Sequence, residues 1–248
     1  MKKKSALLIM LALISYASMA QDSVATMVSR NRYANLDFSV GYLHPDLSNI
    51  NGFLTSYGYK PLQEDIITLS FAPSFSINRL VLRAEYTWQF PASMPQAENV
   101  TATFSGRHLA ASIGYLVIQK PNFRLYPYIG LNAFTSQLVV REKTTAPDID
   151  DLVNNQQQAF HLAYSNAGLD VGVQADKLIA LKNKRWDCPQ NVKYVTVGLR
   201  AGYLFGPSVR GRFNGDLVEG APSYSPQGPY IKLVIGFSTK MRDLKWKK

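Results

Sequence analysis

The chain has 248 residues, 27 of them Lys or Arg and 17 Asp or Glu, for a formal net charge of +10. That length suits one domain. The single cysteine, Cys188, excludes an internal disulfide and a cysteine-based zinc site. The basic excess gathers in Lys177 to Lys193 and Lys240 to Lys248 without aromatic interleaving, which gives no nucleic-acid surface.

The chain opens Met1-Lys2-Lys3-Lys4, runs apolar from Ala6 to Ala17 and closes Ser18-Met19-Ala20. A basic start, a short apolar run and a small-x-small end predict a signal peptide over residues 1–20. The run is shorter than the roughly 20 residues a membrane helix needs. Residues 21–33 then form an N-terminal segment.

From Ala34 onward, apolar and polar residues alternate with period two in eight stretches, the pattern of one-sided β-strands. They are Ala34–Leu43, Ile66–Ile77, Leu80–Phe90, Arg107–Ile118, Arg124–Gln137, Asn166–Asp176, Lys193–Phe205 and Tyr230–Thr239. In the sixth, Ala167, Leu169, Val171, Val173 and Ala175 share one face. Asn166, Gly168, Asp170, Gly172, Gln174 and Asp176 share the other. The second and third strands, and the fourth and fifth, are joined by hairpin-length links. The links Leu43–Asp65, Pro91–Ser105, Leu138–Ala163 and Gly206–Pro229 are long, and Gly52 to Tyr59 suggests a short helix within the first. Lys177–Val192 is a long link in the short series.

Three features predict that the apolar face meets lipid. The polar face is rich in glycine (Gly41, Gly114, Gly130, Gly168, Gly172, Gly198, Gly202, Gly236), which weakens a strand but makes room inside a narrow barrel. Tyr42, Phe75, Trp88, Tyr115, Tyr203 and Phe237 place aromatics near strand ends on the apolar face, as in membrane girdles. The links alternate short and long, and an even strand count returns both termini to the short-turn side. The expected fold is therefore all-β, an eight-stranded antiparallel up-and-down transmembrane β-barrel over residues 34–239 with a basic tail at 240–248.

Eight strands leave a bore that side chains fill, so a plugged lumen is expected. Its charged candidates are Asp37, Arg83, Glu85, His108, Arg124, Asp170, Arg200 and Lys232. Unpaired charges there are costly, and Asp170 is expected to pair with Arg200. Val197→Arg is expected to destabilise and Gly198→Ser to be mild.

These stretches resemble the small outer-membrane β-barrels, of the OmpX-like and OmpA-like types and the barrel-domain proteins common in Bacteroidota. The resemblance covers Ala34 to Thr239 and is one of pattern, without a diagnostic motif. It implies an outer-membrane location, assembly by the BAM machinery, and roles from envelope integrity to adhesion to secretion. Two departures stand out. Phe237 is followed by eleven further residues instead of ending the chain, and nothing the size of a peptidoglycan-binding domain follows the barrel.

Enzyme barrels set a rival reading. Ser165-Asn166 resembles the His-x-Ser-Asn motif of lipid A deacylases, but Ala163 stands where that motif has histidine, and His161 lies four residues before the serine. His108 with Glu85 and Ser112 has the residue types of a Ser-His-acid set; the plainer reading is a hydrogen-bonded lumen histidine. Asp148, Asp150 and Asp151 with His161 have the residue types of an acidic protease or calcium site, without the ligand order calcium needs. No phosphate loop, dinucleotide fingerprint or HExxH motif is present.

The sequence thus predicts a non-enzymatic barrel in the outer membrane of a Gram-negative bacterium, with both termini periplasmic and no cofactor or metal. The long links face outward, among outer-membrane lipid and lipopolysaccharide. Trp186 and Cys188 in the link Lys177–Val192 are the candidate contact for an envelope or secretion partner. The alternatives are a lipid A-directed enzyme barrel and a secreted lipocalin-like carrier with its apolar face inside.

Overall fold

The computed structural model describes residues 32–97, 100–142, 160–181 and 192–241. The expected signal peptide, most of segment 21–33, the tail from residue 242, and Trp186 and Cys188 lie outside them. So do Asp148, Asp150 and Asp151.

Eight long strands carry the fold: β1 Arg32–Leu43, β2 Ile66–Ile77, β3 Leu80–Ala97, β4 Val100–Tyr115, β5 Phe123–Glu142, β6 Phe160–Ala180, β7 Val192–Phe205 and β8 Gly228–Met241. Each pairs antiparallel with its sequence neighbours, and β1 also pairs with β8 from Arg32↔Met241 to Leu43↔Tyr230. That last ladder closes the sheet into an eight-stranded barrel. One helix, α1 (Ser48–Ser56), lies between β1 and β2. It begins four residues before the Gly52 expected from sequence, because Ile50 and Leu54, one turn apart, are its buried positions.

The two faces separate as alternation requires. On the outside, Leu109 is 59% exposed, Leu131 68% and Phe237 57%, while on the inside Arg200 is 1% exposed. A water-soluble carrier would show the reverse, so the apolar belt is the lipid-facing surface of a transmembrane barrel. On β5 the outward apolar run extends from Leu125 to Ala133. At ~3.4 Å per residue this is about 27 Å along the strand, within the roughly 9–11 residues with which a tilted transmembrane strand spans the hydrocarbon. Exposed aromatics stand at both edges of the belt: Tyr42, Trp88, Phe90, Tyr203 and Phe205 toward the long links, Tyr115 and Phe237 toward the short turns.

At the short-turn end, Asn78 takes a positive φ of 56° in the two-residue link between β2 and β3, a conformation asparagine tolerates better than most residues. Residues Ile118–Lys120 pair back onto the start of β5.

Strand extends into two of the four expected long loops. β3 continues to Ala97 and β4 begins at Val100, so most of Pro91–Ser105 is an extended hairpin, with register shifts between Gln89 and Ala92 and between Pro95 and Ala97. β5 runs to Glu142 and β6 starts at Phe160, well into the stretch expected as a loop between Leu138 and Ala163. The reason is chemical. Above the belt the alternation inverts: Ala102, Phe104, Leu138 and Leu162 are buried on the inner face, while Ser105, Arg107, Thr135 and Gln137 stand on the outer one. A search for apolar-outward strands stops where the strands leave the lipid. The link between β7 and β8 also holds structure. Val209–Arg210 pairs with Ser223–Tyr224, and Arg212–Phe213 forms a hairpin with Asp216–Leu217 around Asn214 and Gly215, both at positive φ.

The structure revises the mild effect expected of Gly198→Ser. A Cβ at Gly198 would lie 2.6 Å from the Ala175 carbonyl oxygen, and the Asp176 carboxylate also crowds the position. Gly198→Ser is therefore expected to cost about 1–3 kcal/mol by overpacking, and Val197→Arg about 2–4 kcal/mol by placing charge in lipid. Urea unfolding in lipid vesicles measures both. Equal stability of Val197→Arg and the parent chain would contradict the outward assignment of Val197.

Candidate functional site

The inner face of the belt carries a layer of buried charge. Glu85 on β3 is its hub. Arg83 Nε donates to Glu85 Oε2 at 3.1 Å, Arg200 Nε of β7 lies 3.8 Å from the same oxygen, and Lys232 Nζ of β8 pairs with Oε1. Glu85 thus ties together strands on opposite sides of the bore. Arg83 also pairs with Asp37 of β1. Arg200 Nη2 donates to Asp170 Oδ2 at 3.1 Å and Nη1 to Gln174 Oε1 at 3.2 Å. Asp170 and Arg200 are not directly opposed: Arg200 faces Gln174 in register, and its length carries the guanidinium along β6 to the acid. Lys232 Nζ further donates to Ser70 Oγ at 3.0 Å.

Tyrosines complete the layer. The Tyr230 hydroxyl donates to Asp170 Oδ1 at 2.7 Å and also bonds the Tyr128 hydroxyl, and the Arg200 guanidinium stacks 3.6 Å from the Tyr128 ring centroid. Gly172 and Gly202 seat these hydroxyls: a Cβ at Gly202 would stand 2.8 Å from Tyr230 Oη, and at Gly172 it would meet Tyr128 Oη. Nearer the short turns, Arg124 donates to Asn35 Oδ1 at 3.3 Å and lies 3.9 Å over the Tyr33 ring.

Asp176 belongs to this layer although it is absent from the lumen charges singled out from sequence. It is 4% exposed and accepts from Gln174 Nε2 at 2.9 Å. Its even position on β6, in phase with Asp170 and Gln174, was the available signal. With it, four acids face four strong bases.

His108 is buried on the inner face, its ring centroid 5.1 Å from that of Phe134, and Nδ1 has no hydrogen-bond partner among the described residues. Glu85 is held by its cations and by Thr87, which donates to Oε1 at 3.3 Å. Burial against Phe134 of β5 places the imidazole. Ser165 and His161 both lie on the outer face, four residues apart, or about 13 Å along a strand. His161 Nε2 is instead 3.1 Å from Gln137 Oε1. Among the described residues no group of three His, Cys, Asp or Glu side chains is arranged to hold a metal ion.

Above the charge layer the bore narrows through an apolar collar of Leu43, Phe134, Leu204 and Tyr230. Over that, α1 packs Ile50 and Leu54 against inner-face Phe104, Leu138, Leu162 and Tyr164 and against Tyr224 of the β7–β8 link. Tyr224 meets Phe104 at 5.0 Å and Tyr164 at 5.6 Å between ring centroids. Asn51 brackets Leu62, accepting from its N–H at 2.8 Å and donating to its carbonyl at 3.2 Å. Before the helix, the Ser48 hydroxyl and then its amide donate to Asp46 and hold that carboxyl below its ordinary pKa, with Gln227 adding a further bond. Two cavities of about 10 Å³ each flank the charge layer, one lined by Asp37, Ser76 and Thr196, the other by His108, Tyr230 and Lys232. Each is about the size of one water.

No family model and no curated protein matches the chain. Among solved structures it is similar to Ail, the attachment invasion locus protein of Yersinia pestis, at 9% identity over 86% of this chain and all of that one, with a TM-score of 0.41. It is similar to Neisserial surface protein A at 13% identity over 85% of this chain and 97% of that one, TM-score 0.40. A major outer membrane protein from Thermus thermophilus matches at 9% identity over 85% of this chain and 99% of that one, TM-score 0.41.

Removing the hub charge should leave Arg83, Arg200 and Lys232 with too few anions. Glu85→Gln, nearly isosteric, is expected to lower stability by about 3–5 kcal/mol. The readout is the urea midpoint, with heat-modifiable gel migration reporting the folded barrel. An unchanged midpoint would show that the layer does not depend on Glu85.

Proposed function

We propose that this protein is a non-enzymatic outer-membrane barrel, closed to bulk solutes, that serves as a rigid scaffold for the structures at its long-link end. One observation supports the reading: cross-barrel ion pairs anchored on Glu85 lie in the bore, with α1 packed over them. A conducting pore would need those charges solvated and separated. Function on a fixed scaffold then falls to the connecting segments.

The outward surface has features suited to contact. Tyr57 at the end of α1 is 67% exposed, and Phe213 and Leu217 stand exposed on the Asn214–Gly215 hairpin. The leader expected over residues 1–20 and the lipid-facing belt support an outer-membrane location with both termini periplasmic. Insertion there would use the BAM machinery. A partner on the periplasmic side would meet the β6–β7 link that carries Trp186 and Cys188.

Two measurements test this. In planar bilayers the purified protein is expected to give no stepwise channel conductance above baseline; a stable open level would contradict closure. In a Cys188→Ser background, Asn214→Cys should react with a membrane-impermeant maleimide on intact cells and Asn78→Cys only after lysis. The opposite pattern would reverse the orientation.

A further inference from the structure

The outer wall over β3 to β6 carries an apolar groove of about 890 Å³, within the roughly 300–1,000 Å³ span of ligand clefts. Register explains it. Ala84 is paired with Ala111, and Ala133 with Ala167, and the two pairs sit one step apart because Leu109 faces Ala133. Four methyl-sized side chains therefore form a floor where most of the belt carries Leu, Ile, Val or aromatic residues. Leu131 and Leu169 form its wall. The groove lies within the lipid-facing belt.

Directly above it the outer face becomes cationic. Arg107 stands two residues beyond Leu109 on the same face, in one row with Thr135 and Ser165. Arg212 is paired with Ala163 of β6, one row higher, and cross-strand partners share a face. Both arginines are exposed, and neither has an ion pair among the described residues. At the other end of the groove Gln227 is held by the Asp46 carboxylate at 3.1 Å, so the cationic end is the one over β4 to β6.

We propose that this groove binds a membrane lipid whose phosphorylated headgroup is net anionic, its acyl chains on the alanine floor and its phosphate on Arg107 and Arg212. Arginine's fork of donors matches phosphate geometry. The apolar floor continues into the hydrocarbon immediately beneath the two cations, so one amphipathic molecule satisfies both. A second copy of the chain fits poorly. Two barrels side by side in one membrane hold their arginines at the same height, and a two-fold contact through the groove brings like charges together. The identity of the lipid rests on the orientation proposed above: with the long links outward, the phosphorylated lipid of that leaflet is lipid A.

The test uses the folded, full chain in detergent, with bound lipid counted by native mass spectrometry. Lipid A is expected to be retained at concentrations where phosphatidylcholine is not. Arg107→Gln combined with Arg212→Gln should weaken retention by about tenfold or more, the loss of charge-assisted bonds. Ala133→Trp, which fills the floor from the lipid side, should abolish it. Heat-modifiable migration establishes that each variant remains folded. Equal retention of the two lipids, or retention indifferent to both changes, would overturn the proposal. So would a dimer that Ala133→Trp dissolves. Lipid A binding together with reversed maleimide labelling would leave the groove a site for anionic phospholipid and sink the orientation alone.

Discussion

Hydrocarbon offers a peptide group no hydrogen-bond partner, so a sheet within it must have no free edge. Here the β1–β8 ladder meets that requirement, and most other features follow from it. Closing eight strands turns every inner face onto a bore too narrow for solvated charge. Acids and bases then pair across the bore, Tyr128 and Tyr230 lie among them, and glycines appear where a long side chain from another strand needs the space. Glu85 meets Arg83, Arg200 and Lys232 because closure brings β3, β7 and β8 to face one bore.

How much of this was legible in the sequence depends on where the chain lies relative to lipid. Inside the belt, alternation identified each strand, and the glycines of the polar face, the aromatics near strand ends and the short and long links told that Leu36, Leu131 and Ile235 face outward. Where β4, β5 and β6 rise out of the belt, water lies outside and packed loops inside, and the same period two carries the opposite polarity. Phe104 and Leu138 then read as scattered apolar residues in a loop. The Asn214–Gly215 hairpin went unread inside a link rich in Pro and Gly, although the pair suits two positive φ angles.

The charge layer was partly legible for a related reason. Parity placed Asp37, Glu85, Asp170 and Arg200 on the inner face, and Asp170 and Arg200 lie on adjacent strands. Parity could not show that Arg200 reaches past Gln174 to its acid, nor that Arg83 and Lys232 converge on one glutamate from different walls. Those contacts depend on barrel shear and on side-chain length. The packing of α1 over the bore was less legible still, because its partners, Phe104, Leu162 and Tyr224, come from three separate stretches that only the closed barrel brings together.

The central claim is sidedness: apolar residues meet lipid and charged residues fill the bore. Spin labels placed singly along Tyr230–Phe237 of β8, with Cys188→Ser as background, test it by collision with dissolved oxygen, which partitions into lipid. The account requires oxygen accessibility to alternate with period two, highest at Ile231, Leu233, Ile235 and Phe237. A flat profile, or maxima at Lys232, Val234 and Gly236, would contradict it.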